Sequence, residues 1–412
     1  MKVFQYEIKK ICSRRSFKIV IGILFICLFV MMISRINSES RYVDLNGNTI
    51  TGISAIKPIK EEKSKYNGIL TENLVGKVID KNRKINSTKA FLMTEDGYTG
   101  LNDKGYSRTQ KYSDIRDLLN SSFCGFGEYN YYMADSLNKS DAKQFYSNRI
   151  NKLKPWLDAN SFNKAQKNYI INSYKNLKTP LTYSYMDGWK NLMDFMSLIL
   201  YIVVIVICII SAQVFGVEYK NDAYSNFLTT KYGKSKGIVI KILSGLTITS
   251  LVYWATIIIF SLIILTLYGF DGASCMIQSN DMLWKSFYDV TNIQGFFMIV
   301  LLGYLGCLFM SSFTMFLCTK MKSAFGAIII SFIVIMAPAV LNQISNNETV
   351  TKILNVLPHQ MVSGEDLLKT FNLFNVGDKV LNPFNYLSII YILLSIAVLI
   401  CAYKSFKKQQ IN

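Results

Sequence analysis

The chain has 412 residues, of which 51% are hydrophobic, 13% aromatic and 17% charged, with a net charge of +18. Uncharged apolar stretches at 19–33, 195–217, 242–270, 293–319, 323–341 and 384–403 exclude an ordinary soluble domain. Much of the positive balance follows from where lysine and arginine sit between these stretches, so it argues for sidedness in a membrane rather than for nucleic acid.

A hydrocarbon core about 30 Å thick takes roughly 20 helical residues. Five stretches cross comfortably, and the first does so with help from Phe17 and Lys18, the lysine snorkelling to the headgroups. The expected fold is therefore membrane all-α, with six transmembrane helices, of which the first covers 17–33. Residues 195–412 carry the other five.

Before the first span lie Lys2, Lys9, Lys10, Arg14, Arg15 and Lys18 against Glu7 alone. Within 1–16, Phe4, Ile8 and Ile11 share one helical face while Glu7, Lys10 and Arg14 share another, as an interfacial helix on the inner leaflet requires. The span itself runs into Met31, Met32, Ile33, Ser34 and Arg35 without a small-x-small cleavage pattern, so it reads as an anchor that stays.

Residues 34–194 form an insert large enough to bury a core of its own, here expected to be an extracellular α+β domain dominated by helix. Asn46, Gly47 and Asn48 among alternating apolar residues predict a hairpin. Thr71 is placed to cap a helix reaching Ile79, and Ser161 to cap one carrying Phe162, Ala165, Tyr169 and Leu177. Tyr129, Tyr131 and Tyr132 beside Phe123 and Phe126 could bind amphipathic peptides; the plainer expectation is that these rings fill the core and rest on the headgroup zone.

The loop 218–241 has five lysines against Glu218 and Asp222, and the turn with Lys320 and Lys322 and the tail with Lys404, Lys407 and Lys408 are also positive. The loops 269–292 and 342–383 are net negative. The positive-inside rule then makes both termini cytoplasmic and the protein a multi-pass plasma-membrane protein; a long insert translocates largely regardless of its charge.

In the 218–241 loop, Tyr219, Ala223, Tyr224, Phe227 and Leu228 recur at helical spacing, giving a short amphipathic helix suited to docking, which Tyr232 and Gly233 end. Gly233, Lys234 and Ser235 look like the close of a phosphate-binding loop, but Leu228 stands where its first glycine belongs. No cytoplasmic segment is long enough for a nucleotide-binding domain, so any ATP is hydrolysed by another subunit.

The six stretches hold no Asp, Glu, Lys, Arg or His, against what ion-coupled carriers usually need. Gly303, Gly306, Ser323, Gly326 and Ala327 allow close helix contacts, more often within a bundle than between copies. Cys124 and Cys275 are expected to face outward as unpaired thiols, and no Cys/His cluster points to a metal. The lone histidine, His359, is expected at the surface, and without a second one no Ser/His/Asp set can be assembled.

The order of a basic interfacial helix, one span, an insert opening with Asp44 to Gly47 and Thr51-Gly52 and closing with Tyr185 to Lys190, five further spans and the Glu218-Tyr219 loop resembles the type-2 ABC exporter permeases, in their enlarged Gram-positive form. The resemblance implies that Glu218, Tyr219, Tyr224, Phe227, Leu228, Gly233 and Lys234 couple to an ABC ATPase subunit, which uses ATP and Mg while this chain binds no cofactor. It also implies a second permease copy or a related permease, and short outer helices within 342–383 that dip toward the membrane, with Val350, Ile353, Leu354 and Leu357 as an apolar face. The expected function is outward movement of an amphipathic substrate, foremost a peptide such as a bacteriocin or antimicrobial peptide, with lipids or drugs next. The competing readings are a membrane-anchored sensor and a membrane enzyme, the latter lacking a catalytic set.

Overall fold

The computed structural model describes residues 2–95, 98–220, 229–230, 232–344 and 347–409. A short helix α1 (Lys2–Cys12) precedes α2 (Arg15–Glu39), the first of six helices among the described residues long and apolar enough to cross a membrane. The insert follows with α3 (Ile53–Ser64), α4 (Glu72–Asn86), α5 (Asp103–Thr109), α6 (Ser113–Phe123), α7 (Ser147–Ala159) and α8 (Lys164–Asn176). The remaining long helices are α9 (Asp187–Lys220), α10 (Ile238–Tyr268), α11 (Asn292–Met321), α12 (Ala324–Ile344) and, after the short α13 (Glu348–Leu354) and α14 (Asp366–Lys369), α15 (Pro383–Lys407). Every apolar stretch of the sequence became one of these helices. The first two run beyond their apolar windows, so the chain between them is shorter than 34–194.

Helix α11 is the centre of the bundle, packing against α9, α10, α12 and α15. Small residues set its approach distances: a Cβ on Gly303 would stand 2.7 Å from Leu200 Cδ2, and one on Gly306 would stand 2.9 Å from Met361 Cβ. These glycines thus serve internal packing. Hydroxyls join the interior, with Ser211 and Ser311 2.8 Å apart, Thr249 donating to Ser311 at 2.9 Å, and Thr314 paired with Ser331 at 2.7 Å. In an apolar surround each such bond contributes on the order of 1 kcal/mol and fixes helix rotation. The outward faces of α2, α12 and α15 expose Ile23, Ile26, Phe325, Phe332, Leu393 and Ile396, as helices bathed in lipid do.

In the insert, β1 (Arg41–Val43) pairs with β2 (Thr49–Thr51) through the predicted hairpin, where Gly47 adopts φ 94° and Asp44 Oδ1 accepts from the backbone N–H of Asn46 and Asn48. Strand β3 (Gly68–Ile69) pairs with β6 (Thr182–Tyr183), and β4 (Leu92–Glu95) with β5 (Tyr98–Leu101). A last ladder, β7 (Phe374–Val376) with β8 (Lys379–Leu381), lies before α15. Thr71 caps α4 as expected. Ser161 does not cap α8: Asn163 does, because Asn163 and Gln166 satisfy each other's backbone N–H in a reciprocal box that serine two residues earlier cannot make.

The insert does not bury its core alone. One apolar cluster joins Val75 and Ile79 of α4 and Ile115 and Leu119 of α6 to residues of the neighbouring connections, and it includes Trp284 from the α10–α11 connection. Phe126, Leu153, Ile170 and Tyr174 belong instead to the cluster that fills the helical bundle. Cys124 and Cys275 are buried in this packing and form no disulfide.

His359 is also inside, at 2% exposure, contrary to its expected surface position. The 3-10 turn Pro358–Val362 packs on α11 and α12, with Ser197 donating to the Ser363 carbonyl at 2.9 Å, so the segment folds back into the bundle. Of the apolar face expected in this region, Leu354 is buried while Val350 and Ile353 are exposed.

Candidate functional site

The two stems of the 218–241 loop are tied together below the bundle. Lys241, in the first turn of α10, is 1% exposed, and an ammonium so buried needs partners. Its Nζ donates to Glu218 Oε1 at 2.7 Å and to Glu7 Oε2 at 3.3 Å, while Lys10 Nζ donates to Glu218 Oε1 at 2.6 Å. Arg14 adds a bond from Nη1 to the Gln213 carbonyl at 3.0 Å. The polar face expected of α1 is therefore divided: Glu7 and Ile11 turn inward together, and α1 is docked on α10.

A second tie closes the same end. Gln409 Nε2 donates to the Thr319 carbonyl at 2.8 Å and lies within hydrogen-bond distance of the Tyr219 hydroxyl, which donates to Gln409 Oε1 at 3.0 Å. Phe406 packs nearby against Phe215, with the rings tilted by 45° and their centroids 4.9 Å apart. The ends of α9, α11 and α15 are thus fixed at the point where the loop leaves.

Of the residues expected to couple, Glu218 is buried in the lysine network and Tyr219 is half-buried against the C-terminal segment, so both hold the loop stems. Gly233 is buried, its N–H donating to the Thr230 carbonyl, while Lys234 is exposed at the start of the π-helical turn Gly233–Gly237. Tyr224, Phe227 and Leu228 lie outside the described residues. The sequence reading missed Glu7 and Lys241 as structural partners. Lys241 stands among Ile238, Val239, Ile240, Ile242 and Leu243, and a lysine flanked so is a signal for a buried carboxylate.

At the other end of the bundle, the insert encloses a cavity of about 560 Å³, within the size range of small-molecule sites. Its charged wall is built by α3, α6 and α9. Lys63 Nζ binds Asp114 and both carboxylate oxygens of Asp187 at 2.9 Å, and Asp114 also accepts from the Tyr183 hydroxyl at 2.7 Å. Burial opposes the Asp114 charge, but Lys63 and Lys190 outweigh it and pull its pKa down to about 2.

Arg116 pairs with Asp135 at 3.2 Å and lies 4.4 Å over the ring of Tyr131. Lys190 donates to Asp281 at 2.6 Å. Asp117 is the exception: Arg116 approaches no closer than 3.7 Å and Asn120 no closer than 3.5 Å. Burial, with Asp281 adding to it, raises its pKa to about 7.

Tyr131 and Tyr132 line this cavity, meeting edge to face at 5.3 Å. They are half exposed, and Tyr129 more so, whereas Phe126 is buried. The core-filling expectation therefore holds for Phe126 and fails for the tyrosines. Their hydroxyls and the neighbouring charges favour a wet wall over a packed one.

A scan against protein-family models, a search of curated proteins and a search of solved structures each found no match.

Proposed function

We propose that this chain is the permease subunit of an ATP-driven exporter, carrying an amphipathic substrate outward. The observation that carries the reading is the anchoring of both stems of the 218–241 loop by Glu218, Lys241, Glu7 and Lys10. A loop that receives force from a partner must pass it to the spanning helices without yielding, and buried ion pairs at its two roots supply such a mount. The amphipathic run from Tyr219 to Leu228 then offers the docking face for an ATPase subunit, which binds and hydrolyses ATP with Mg.

Two copies of the permease, or this chain with a related one, would form the pathway between them. ATP binding shifts the pair from inward to outward opening only if the ATPase grips the two states unequally. A peptide cargo fits the half-exposed tyrosines and the mixed charge of the insert cavity. The test is Phe227→Asp, which puts a carboxylate in the docking face. A cost of several kcal/mol corresponds to about a thousandfold loss of docking, so export should stop while membrane insertion persists. Normal export by this variant would overturn the reading.

The position of the cavity favours one other reading, a membrane-anchored sensor. Its ligand site would lie in the insert, and ligand binding would be signalled through Lys63 and Asp187, which join α3 to the start of α9.

A further inference from the structure

The cavity wall holds three cations, Lys63, Arg116 and Lys190, and each is taken up by a carboxylate: Asp114 and Asp187, Asp135, and Asp281 respectively. The lining itself holds three carboxylates, Asp114, Asp117 and Asp135, against these three cations, and with Asp187 and Asp281 behind it five carboxylates share them, although the chain as a whole is strongly basic. The surplus is local and one-sided. Asp117 borders the cavity with its side chain a quarter exposed, and among the described residues its cation is Arg116 at 3.7 Å, which lies closer to Asp135 at 3.2 Å.

Beside it stand the rings of Tyr106, Tyr131 and Tyr132. Aromatic faces attract cations and do little for anions, so the rings and the weakly compensated carboxylate select the same ligand charge. Arg116 over Tyr131 already makes this contact within the chain. A neutral ligand would leave the Asp117 carboxylate with only Arg116, 3.7 Å away and shared with Asp135, as counter-ion in a partly dry site, which is unfavourable.

We infer that the insert cavity binds a cationic group, a primary ammonium or guanidinium of a peptide ligand, with Asp117 as its counter-ion and Tyr131 and Tyr132 as the aromatic wall. The cavity has room for one or two long side chains rather than a folded peptide, so recognition is of a residue within the ligand. As a cargo-recognition site it rests on the exporter reading; as a cation site it does not, and binding can be measured without transport.

The test uses the full chain in phosphatidylcholine nanodiscs, titrated with a fluorescein-labelled amphipathic peptide of leucines and lysines while anisotropy is read. Zwitterionic lipid keeps the peptide from binding the membrane by charge. Saturable binding is expected, weakened tenfold or more by Asp117→Asn and severalfold by Tyr131→Ala, and largely retained by Asp117→Glu. The same peptide with its lysines acetylated should bind at least tenfold more weakly to the unaltered chain, a comparison that does not depend on any variant folding. Absence of saturable binding, equal affinity for the acetylated peptide, or an unchanged affinity in a folded Asp117→Asn protein would each overturn the assignment. None of these outcomes bears on ATP coupling, which is tested through Phe227.

Discussion

Glu218 and Lys241 lie 23 positions apart and meet at 2.7 Å, closing the base of the loop between the second and third long helices. The pair is almost sealed from solvent, and Glu7 and Lys10 of α1 complete it. Breaking a buried pair from one side strands the remaining charge, at a cost of about 3–5 kcal/mol. Lys241→Met should therefore lower the thermal midpoint of the purified protein sharply. Adding Glu218→Gln should restore part of the loss, because the stranded carboxylate is then neutral. A double variant no more stable than Lys241→Met would show that the network is not the cause.

The folded-state pKa of Asp117 lies near 7, above its ordinary value of 3.8. The folded protein thus holds a proton that the unfolded chain has lost between about pH 4 and pH 7, and this residue's contribution makes stability fall as pH rises through that window. A rise of that size bounds the effect at about 4 kcal/mol. The partial exposure of the side chain makes the realised effect smaller. Asp117→Asn should match the parent near pH 4 and melt at a higher temperature at pH 8. Thermal midpoints of the two proteins across this range check it; a variant less stable at pH 8 contradicts it.

Gly364 has φ 66°, and a Cβ there would stand 2.9 Å from the Ser197 backbone Cα and N. Backbone atoms cannot swing aside as a side chain does, and the left-handed conformation itself costs a non-glycine residue about 1–2 kcal/mol. Gly364→Ala should lose at least about 2 kcal/mol by loosening the folded-back segment from α9. Gly22→Ala, in open space on α2, should be neutral or slightly stabilising. Equal melting of the two variants would remove the segment's structural role.

Labelling checks the orientation. Lys164, in the insert, and Lys234, at the loop end, are both exposed. With Cys12 replaced by serine, Lys164→Cys should react with a membrane-impermeant maleimide on intact cells. Lys234→Cys should react only after the cells are opened. The reverse pattern would invert the topology.

The long helices were legible because an uncharged run of sufficient length admits few other structures in a membrane. Thr71 and the Gly47 hairpin were legible because their signals are local. Asn163 was missed through reading one capping residue where two cooperate. His359 was misplaced because burial of the turn that carries it depends on Gly306 and Ser197, far away in sequence. At the loop, Lys241 was counted toward sidedness and not toward pairing. The cavity was least legible of all: Lys63, Asp117, Lys190 and the tyrosines come together only when α3, α6 and α9 converge.

The measurement that bears most directly on the exporter account is photolabelling with azido-ATP of the tagged chain gently purified from its native membrane, beside the same chain expressed alone in a foreign host. The account predicts label on a separate co-purifying polypeptide, none on this chain, and loss of that polypeptide in Phe227→Asp. Specific labelling of this chain, or ATP hydrolysis by the chain expressed alone, would contradict it.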